Sequence, residues 1–304
     1  MRLLLTGGTG FVGRHVVDLA LRSGHSVEVL SRDPAAARAV LASLPGAAAH
    51  PAALRCRRAD LQGPANLADA LAGARPEAVV HLAGLIRGTP AELAALNVEA
   101  TAALLAVLAR HAPAARLVYV SSFAAEDAPS TPYSESKQAA EDRVRASPGP
   151  WVILRPTLIY GAGDTANTPA LAASLRSGTH WLPGGGRARI QPVHVGDVAA
   201  ACLAAAGEPR AAGRTYRLGG PEPLSVADFR AAVRDASGGR AVLRAIPLPL
   251  FALAARALAL LGRRGALDVL AFHRADHAVD SAAARAELGF SPRPLAQGLH
   301  ETFG

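Results

Sequence analysis

Among 304 residues there are two cysteines, one methionine and few aromatics, the last making up only 4% of the chain. Cys56 and Cys202 stand alone, neither in a Cys-x-x-Cys pair, which excludes a disulfide scaffold. Two buried thiols in a reducing compartment are expected, and no metal site. Charged residues are scarce at 18% against 50% hydrophobic ones, a balance that excludes disorder. A chain of this length buries a sizeable core without cross-links. Long apolar runs are also missing. Leu248 to Leu261 is apolar apart from Arg256, but it is too short to span a bilayer and carries Pro247 and Pro249 at its start. It is expected to be a buried or groove-lining helix rather than one that touches a membrane surface. The run Met1 to Leu5 is ended by Thr6-Gly7-Gly8, too early for a secretion signal. A cytoplasmic location is expected, with a peripheral place at the inner face of a membrane as the variant reading.

The net charge is +8. The arginines are scattered among acids, and no basic run is interleaved with aromatics, so no nucleic-acid partner is expected. The choice of cation is more informative. Of 32 Lys+Arg only Lys137 is a lysine, and Asn66, Asn97 and Asn167 are the only asparagines. A chain that avoids lysine and asparagine this strongly keeps them where no substitute serves.

Short apolar runs alternate with longer amphipathic ones over the first half. Strands are expected at Leu3–Leu5, Val27–Leu30, Leu54–Arg58, Ala78–His81, Leu117–Val120 and Val152–Leu154. Helices are expected at Phe11–Arg22, Pro34–Leu44, Pro64–Leu71, Pro90–His111 and Tyr133–Arg145. This alternation implies right-handed βαβ units, a parallel sheet and helices on both faces. After Arg155-Pro156 the rhythm breaks, with glycines and prolines at 161, 163, 169 and 183–186. The expected organisation is an α/β, doubly wound domain over 1–156, with 190–206 returning to it. A smaller C-terminal α/β lobe would hold 157–189 and 207–304.

Gly7, Gly10 and Gly13 are spaced Gly-x-x-Gly-x-x-Gly between the first strand and the first helix. Such glycines allow a tight turn, close approach of backbone to a pyrophosphate, and close packing of helix on strand; the helix N-terminus then faces the phosphates. Gly7, Thr9, Gly10, Phe11, Val12 and Gly13 are therefore candidate dinucleotide ligands. The second strand ends Ser31-Arg32-Asp33. A small residue followed by a guanidinium suits a 2′-phosphate, which favours NADP(H), although Asp33 could still serve as the acid that NAD(H) needs. Asp60 and Leu61 follow the third strand, where an adenine edge would lie, and Asp60 could equally cap the helix near Pro64. Leu82, Ala83 and Gly84 end the fourth strand beside the cofactor. His81 before them is expected to be a packed histidine.

Tyr133-Ser134-Glu135-Ser136-Lys137 contains Tyr-x-x-x-Lys. Residues four apart share a helix face. A free phenol has a pKa of about 10, and an ammonium within about 4–6 Å lowers it by roughly 1–3 units. Tyr133 could then pass a proton to a carbonyl oxygen as hydride arrives, or take one from an alcohol. Lys137 would also reach the nicotinamide ribose. Ser122, with Ser121 as the other choice, stands at the carboxyl edge of the sheet, where it would hydrogen-bond the substrate oxygen.

These motifs, together with Asn97 in Asn-Val-Glu-Ala-Thr, Arg155-Pro156-Thr157-Leu158-Ile159-Tyr160-Gly161, Val193-His194-Val195-Gly196-Asp197-Val198 and Leu288-Gly289-Phe290, occur in the order of the extended short-chain dehydrogenase/reductase superfamily. The chain resembles its NAD-dependent epimerase/dehydratase group over nearly its whole length. It looks closest to the atypical branch that includes the NADPH-binding accessory subunit of respiratory complex I. The resemblance implies a Rossmann domain with a C-terminal substrate lobe. Tyr133 would be the acid/base, Lys137 its activator and ribose clamp, and Ser122 the partner of the substrate oxygen. Asn97 would support the lysine or a water, and Pro156 would join the cofactor contacts. Phe123-Ala124 stand where a dehydratase has Asp-Glu. Thr157 and Ile190-Gln191-Pro192 replace an Asn and an Arg usual in sugar-nucleotide epimerases.

Two functions follow. One is an NADPH-dependent oxidoreductase or epimerase-type enzyme that passes hydride between the nicotinamide and a carbonyl or alcohol carbon of a small molecule, with reduction, oxidation and epimerisation all open. The other is a protein that holds NADPH structurally in a membrane-associated redox complex. The complex I resemblance, the +8 charge and the Leu248–Leu261 helix make peripheral membrane or redox-complex association an expectation, beside a homodimer. Leu248, Leu250, Phe251 and Phe272 are expected to wall an apolar substrate site.

Overall fold

The computed structural model describes residues 1–127, 131–165, 167–262 and 265–304. The chain packs as two units. The first comprises Met1–Pro156, Val195–Leu218 and Ser281–Ser291; the second comprises Thr157–His194, Gly219–Asp280 and Pro292–Gly304.

The first unit is built on seven strands: β1 Arg2–Thr6, β2 Ser26–Ser31, β3 Leu54–Arg58, β4 Ala78–His81, β5 Arg116–Val120, β6 Trp151–Pro156 and β7 Arg214–Leu218. Their order is β7-β6-β5-β4-β1-β2-β3, and every pairing is parallel. This is a Rossmann sheet with one further strand. All four residues of β4 are buried, as a strand covered on both faces requires.

Six helices cover the sheet: α1 Phe11–Arg22, α2 Pro34–Ala42, α3 Pro64–Ala74, α4 Pro90–His111, α5 Pro132–Arg145 and α6 Val195–Gly207. On α1 the buried positions Gly13, Val16, Val17, Ala20 and Leu21 form one stripe at helical spacing. Prolines open α2, α3, α4 and α5, where a missing N–H costs nothing. Asp33, Thr89 and Thr131 cap three of these helices. Helices α1 and α6 pack on one another, and α3, α4 and α5 form a second packed group. The core between this second group and the sheet includes Leu67, Leu71, Leu104, Tyr119, Val144 and Ile153.

Helix α4 holds a π-helical segment, Ala94–Glu99, between its α-helical ends. Single π turns inside helices concentrate at functional sites, and this one contains Asn97. The helix is long and apolar enough by composition to cross a membrane, but 44% of that window is buried inside the protein.

Three expectations need correcting. The return to the first unit runs over Val195–Leu218 rather than 190–206: residues 190–194 belong to the second unit, β7 pairs with β6, and Ser281–Ser291 also belongs to the first unit. Arg214–Leu218 follows the break in the strand–helix rhythm, so its place beside β6 carried no local signal. Cys202 is fully buried on α6, but Cys56 is only half-buried. The third concerns α7, Leu248–Leu260, whose Leu250, Leu253 and Leu260 are 57%, 66% and 89% exposed. Only Ala252 and Ala255 of this helix are buried, so the face it packs inward is made of small residues.

The second unit combines short strand pairs with helices. Thr179–Pro183 runs parallel to Val242–Ile246, and Ile159–Tyr160 runs parallel to Val193–His194. Leu224–Ser225 is antiparallel to Arg189–Ile190. Tyr160, Leu175, Phe229, Val233 and Leu299 form its core.

Candidate active site

The sheet order reverses between β1 and β4, and the glycine loop leaves β1 at that point. Gly7 has φ +69°, and a Cβ there would stand 2.7 Å from the Ala83 backbone nitrogen. A Cβ on Gly13 would stand 2.1 Å from the Gly7 carbonyl oxygen. Gly10 N–H donates to that same oxygen at 3.0 Å, closing the turn. The loop is therefore a cradle that any side chain at 7 or 13 would fill. Gly10 ends it as the N-cap of α1, and no side chain caps that helix. Amides of the first turn, at Phe11, Val12 and Gly13, are thus presented beside exposed Thr9. These residues fit the diphosphate of a dinucleotide. Gly8 packs its Cα against Val29, where a Cβ would come within 2.8 Å of Cγ1.

At the end of β2, Ser31 Oγ donates to the Asp33 carbonyl at 2.9 Å and accepts from Asp33 N–H at 3.1 Å. Asp33 Oδ1 accepts from Ala35 N–H and Ala36 N–H, both at 3.0 Å, and caps α2. Arg32 is exposed, and so is Arg58, which lies opposite Ser31 in the β2–β3 register. Arg58 had no sequence signal, because only strand register brings it to this edge. Asp60 does not cap α3, whose N-cap is Gly63; its Oδ1 accepts from Gln62 N–H at 3.1 Å within the preceding turn. Leu61 packs on the core, and Leu82 and Ala83 are half-buried. Pro156 is buried at the end of β6, its carbonyl accepting from Phe123 N–H at 3.1 Å.

His81 is wholly buried and neutral. Thr101 Oγ1 donates to the Asn97 carbonyl at 2.7 Å, so it accepts from His81 Nε2–H at 2.9 Å. Nδ1 is then an acceptor for Thr6 Oγ1 at 2.5 Å. Burial, helped by the charge of Lys137, lowers the imidazole to about 3. This is the packed histidine expected.

Asn97 joins three elements. Its Oδ1 accepts from Leu85 N–H at 2.7 Å, and its Nδ2 donates to Leu85 O and to Ser136 Oγ, both at 2.9 Å. Ser136 Oγ donates in turn to the Tyr133 carbonyl at 2.8 Å. Gly84 is required beside this amide, since a Cβ there would lie 2.8 Å from Asn97 Oδ1. Asn97 therefore ties the chain after β4 to the first turn of α5, which carries Tyr133.

Lys137 is buried on α5. Its Nζ donates to the Val120 carbonyl at 2.9 Å and lies 4.4 Å from the centroid of the Tyr119 ring. An ammonium fits this slot, whereas the broader guanidinium does not present a single compact donor. Burial lowers Lys137 to about 7, opposed by the carboxylate of Glu141 one turn on. Burial raises the Tyr133 phenol, and a hydrogen bond with Ser122 opposes that rise. The partner that lowers the phenol here is thus Ser122 rather than Lys137. Ser121 is buried at the end of β5, and Ser122 is the more exposed of the pair.

The ordinary lysine value is 10.5. Between about pH 7 and pH 10 the unfolded chain thus holds one proton more at this site than the folded chain, so stability rises with pH. Lys137→Met is expected to flatten that rise, measured by denaturant unfolding across the window. An unchanged slope would mean that Lys137 stays charged throughout.

Behind Lys137 stands a network that the sequence reading missed. Arg155 grips Glu141 through Nε–Oε1 at 2.9 Å and Nη2–Oε2 at 2.6 Å. Its Nη1 meets Glu126 Oε2 at 2.6 Å, and Arg217 also pairs with Glu126. Arg145 closes on Glu141 at 2.5 Å. The spacing Lys137–Glu141–Arg145 at i, i+4, i+8 was the available signal.

The described residues hold no group of three His, Cys, Asp or Glu that could bind a metal. In the second unit, a cavity of about 560 Å³ is lined by Arg187, Ala188, Ala245, Ile246, Leu248 and His273, among others. His273 is buried and neither ring nitrogen has a hydrogen-bond partner. Of the four apolar walls expected, only Leu248 lines this cavity. Phe272 instead stacks on His277 at 4.4 Å within the lobe core, and Leu250 faces solvent.

Residues 3–219 match the model of the NAD dependent epimerase/dehydratase family. The chain is 32% identical over 283 residues to a 4-hydroxy-2-methyl-3-oxo-4-farnesyl-3,4-dihydroquinoline-1-oxide ketoreductase of Stigmatella aurantiaca, covering 86% of this chain and 80% of that one. It is 34% identical over 206 residues to a ceramide reductase of Caulobacter vibrioides, covering 66% and 59%. The fold is shared with the UDP-glucuronic acid 4-epimerase of Bacillus cereus in complex with NAD, with TM-score 0.77 at 20% identity over 100% and 97% of the two chains. The chain belongs to the NAD-dependent epimerase/dehydratase family and is an NAD(P)-dependent enzyme of the extended short-chain dehydrogenase/reductase superfamily.

Proposed function

We propose that this enzyme is an NADPH-dependent ketoreductase that converts a carbonyl of an apolar small molecule to the alcohol. The observation that carries this reading is the Tyr133–Ser122 hydrogen bond, on a helix whose next turn holds the buried Lys137. Bound at the glycine cradle, the dinucleotide supplies the hydride. Ser122 orients the carbonyl oxygen, and Tyr133 delivers its phenolic proton to that oxygen. Lys137 reaches the ribose from the next turn of the same helix, and Asn97 holds the turn that carries Tyr133. The reductase relatives favour reduction of an apolar ketone, and the largely apolar cavity lined by Ala188, Ala245, Ile246 and Leu248 suits such a substrate. Thr157 and Gln191 support the departure from sugar-nucleotide chemistry. Thr157 Oγ1 donates to Gln191 O at 2.5 Å, and Gln191 Nε2 donates to Gly220 O at 2.8 Å, so both serve the lobe's own backbone.

NADPH is the favoured cofactor because the Asp33 carboxylate caps α2 while Arg32 and Arg58 stand exposed at the adjoining strand ends. Arg32→Ala is expected to weaken NADPH binding by roughly 10- to 100-fold, the worth of a charge-assisted hydrogen bond, and to leave NADH binding nearly unchanged. Fluorescence titration with both nucleotides measures this, and equal losses for the two would remove the 2′-phosphate assignment. The reaction itself is tested by following NADPH oxidation across a panel of long-chain ketones. Tight binding with no turnover on any of them would overturn the ketoreductase reading in favour of a cofactor-holding subunit.

A further inference from the structure

Helix α7 presents large apolar side chains to solvent. Leu250, Leu253, Leu260 and Leu261 are 57%, 66%, 89% and 77% exposed. Leu250, Leu253, Leu260 and Leu261 fall at i, i+3, i+10 and i+11, so they share one side of the helix. The small residues Ala252 and Ala255 face the protein instead. Strand Val242–Ile246, which leads into α7, continues the pattern: Val242 is 52% exposed, and Trp181 on the paired strand is 57% exposed opposite Arg244. A soluble protein seldom leaves so many large apolar groups together in water without a partner.

Charge selects the partner. Between Arg240 and Arg264 the chain carries five arginines and no Asp or Glu. Arg240, Arg244 and Arg256 are exposed. Exposed leucines and a tryptophan among exposed arginines match an acyl-chain boundary under anionic headgroups.

We infer that α7 and the strand before it bind the surface of an anionic phospholipid bilayer. The leucines enter the acyl boundary, and the arginines meet the phosphates. The α7 helix is 13 residues long, so it lies in the interface rather than crossing it. This binding does not depend on the reaction that the enzyme catalyses. Leu248, the first residue of α7, also lines the apolar cavity, so the docked helix would bring that cavity to the lipid surface.

The test is flotation of the full chain with phosphatidylcholine vesicles, with and without about one-third phosphatidylglycerol. Binding is expected only with the anionic lipid and is expected to weaken as salt is raised. Leu253→Glu/Leu260→Glu is expected to reduce vesicle binding by more than about tenfold while leaving NADPH binding and the circular dichroism spectrum unchanged. Trp181 is one of only two tryptophans, so its emission should shift to the blue on binding, and Trp181→Phe should abolish the shift. Equal binding to both vesicle types, or binding unaffected by the double variant, would overturn the inference. So would a wild-type dimer that the double variant converts to monomer with no vesicle binding by either, since a second copy would then cover the face.

Discussion

Tyr133→Phe is expected to lower kcat by about 10²–10⁴-fold, the span that general acid–base catalysis contributes. The ring stays, so packing at the start of α5 is retained, and NADPH binding should be nearly unchanged. What is lost is the hydroxyl, held by Ser122, that the proposed reaction uses as its proton donor. Ser122→Ala should act in the same direction but less strongly, because it removes the phenol's hydrogen-bond partner and leaves the proton donor in place. The two variants are read by steady-state kinetics beside cofactor titration. Turnover by Tyr133→Phe near the parent rate would show that another group moves the proton. Loss of NADPH binding would show instead that the phenol holds the cofactor.

Glu141→Gln should have the largest effect on stability. Glu141 is fully buried, and its carboxylate receives two bonds from Arg155 and one from Arg145. Removing one member of a buried ion pair costs about 3–5 kcal/mol, because the remaining charge is left uncompensated. Arg155 keeps Glu126, which favours the lower end of that range. At about 3 kcal/mol the expected fall in Tm is roughly 6–12 °C for a chain of this size. Burial works to raise Glu141, but its bonds to Arg155 hold it below its ordinary value. The folded value therefore lies below the unfolded one. The carboxylate's contribution is complete above about pH 4.3 and is lost as pH falls through the lower, folded value. Glu141→Gln should accordingly unfold with a shallower acid dependence than the parent. Calorimetry across this range checks both effects, and a variant with parent Tm would show that the network contributes little. Because Glu141 also favours the charged form of Lys137, the variant should lose activity at neutral pH as well.

The sheet and its cofactor loop were legible from local pattern. Apolar runs that alternate with amphipathic ones require a covered parallel sheet, and prolines at the first turns marked the helix starts. Glycines at 7, 10 and 13 could be read because their reason is steric: a Cβ at 13 would overlap the backbone of residue 7. The scarcity of lysine singled out Lys137, and its burial in a slot for one compact donor explains why arginine does not serve there. The extra strand at Arg214–Leu218 was not legible, because it joins a sheet whose nearest member is some 60 residues earlier in sequence.

What the sequence alone determined was the set of chemical groups and the fold that would gather them, since periodicity, glycine spacing and composition are properties of a chain read locally. Tertiary structure decided which group each one answers to. It turned Lys137 toward Val120 and gave the phenol to Ser122. It set Arg58 beside Ser31. It put Leu250, Leu253 and Leu260 of α7 outside and Ala252 and Ala255 inside. Each of these depends on distances between residues far apart in the chain, and hydrogen bonds, burial and charge act through those distances rather than through sequence separation.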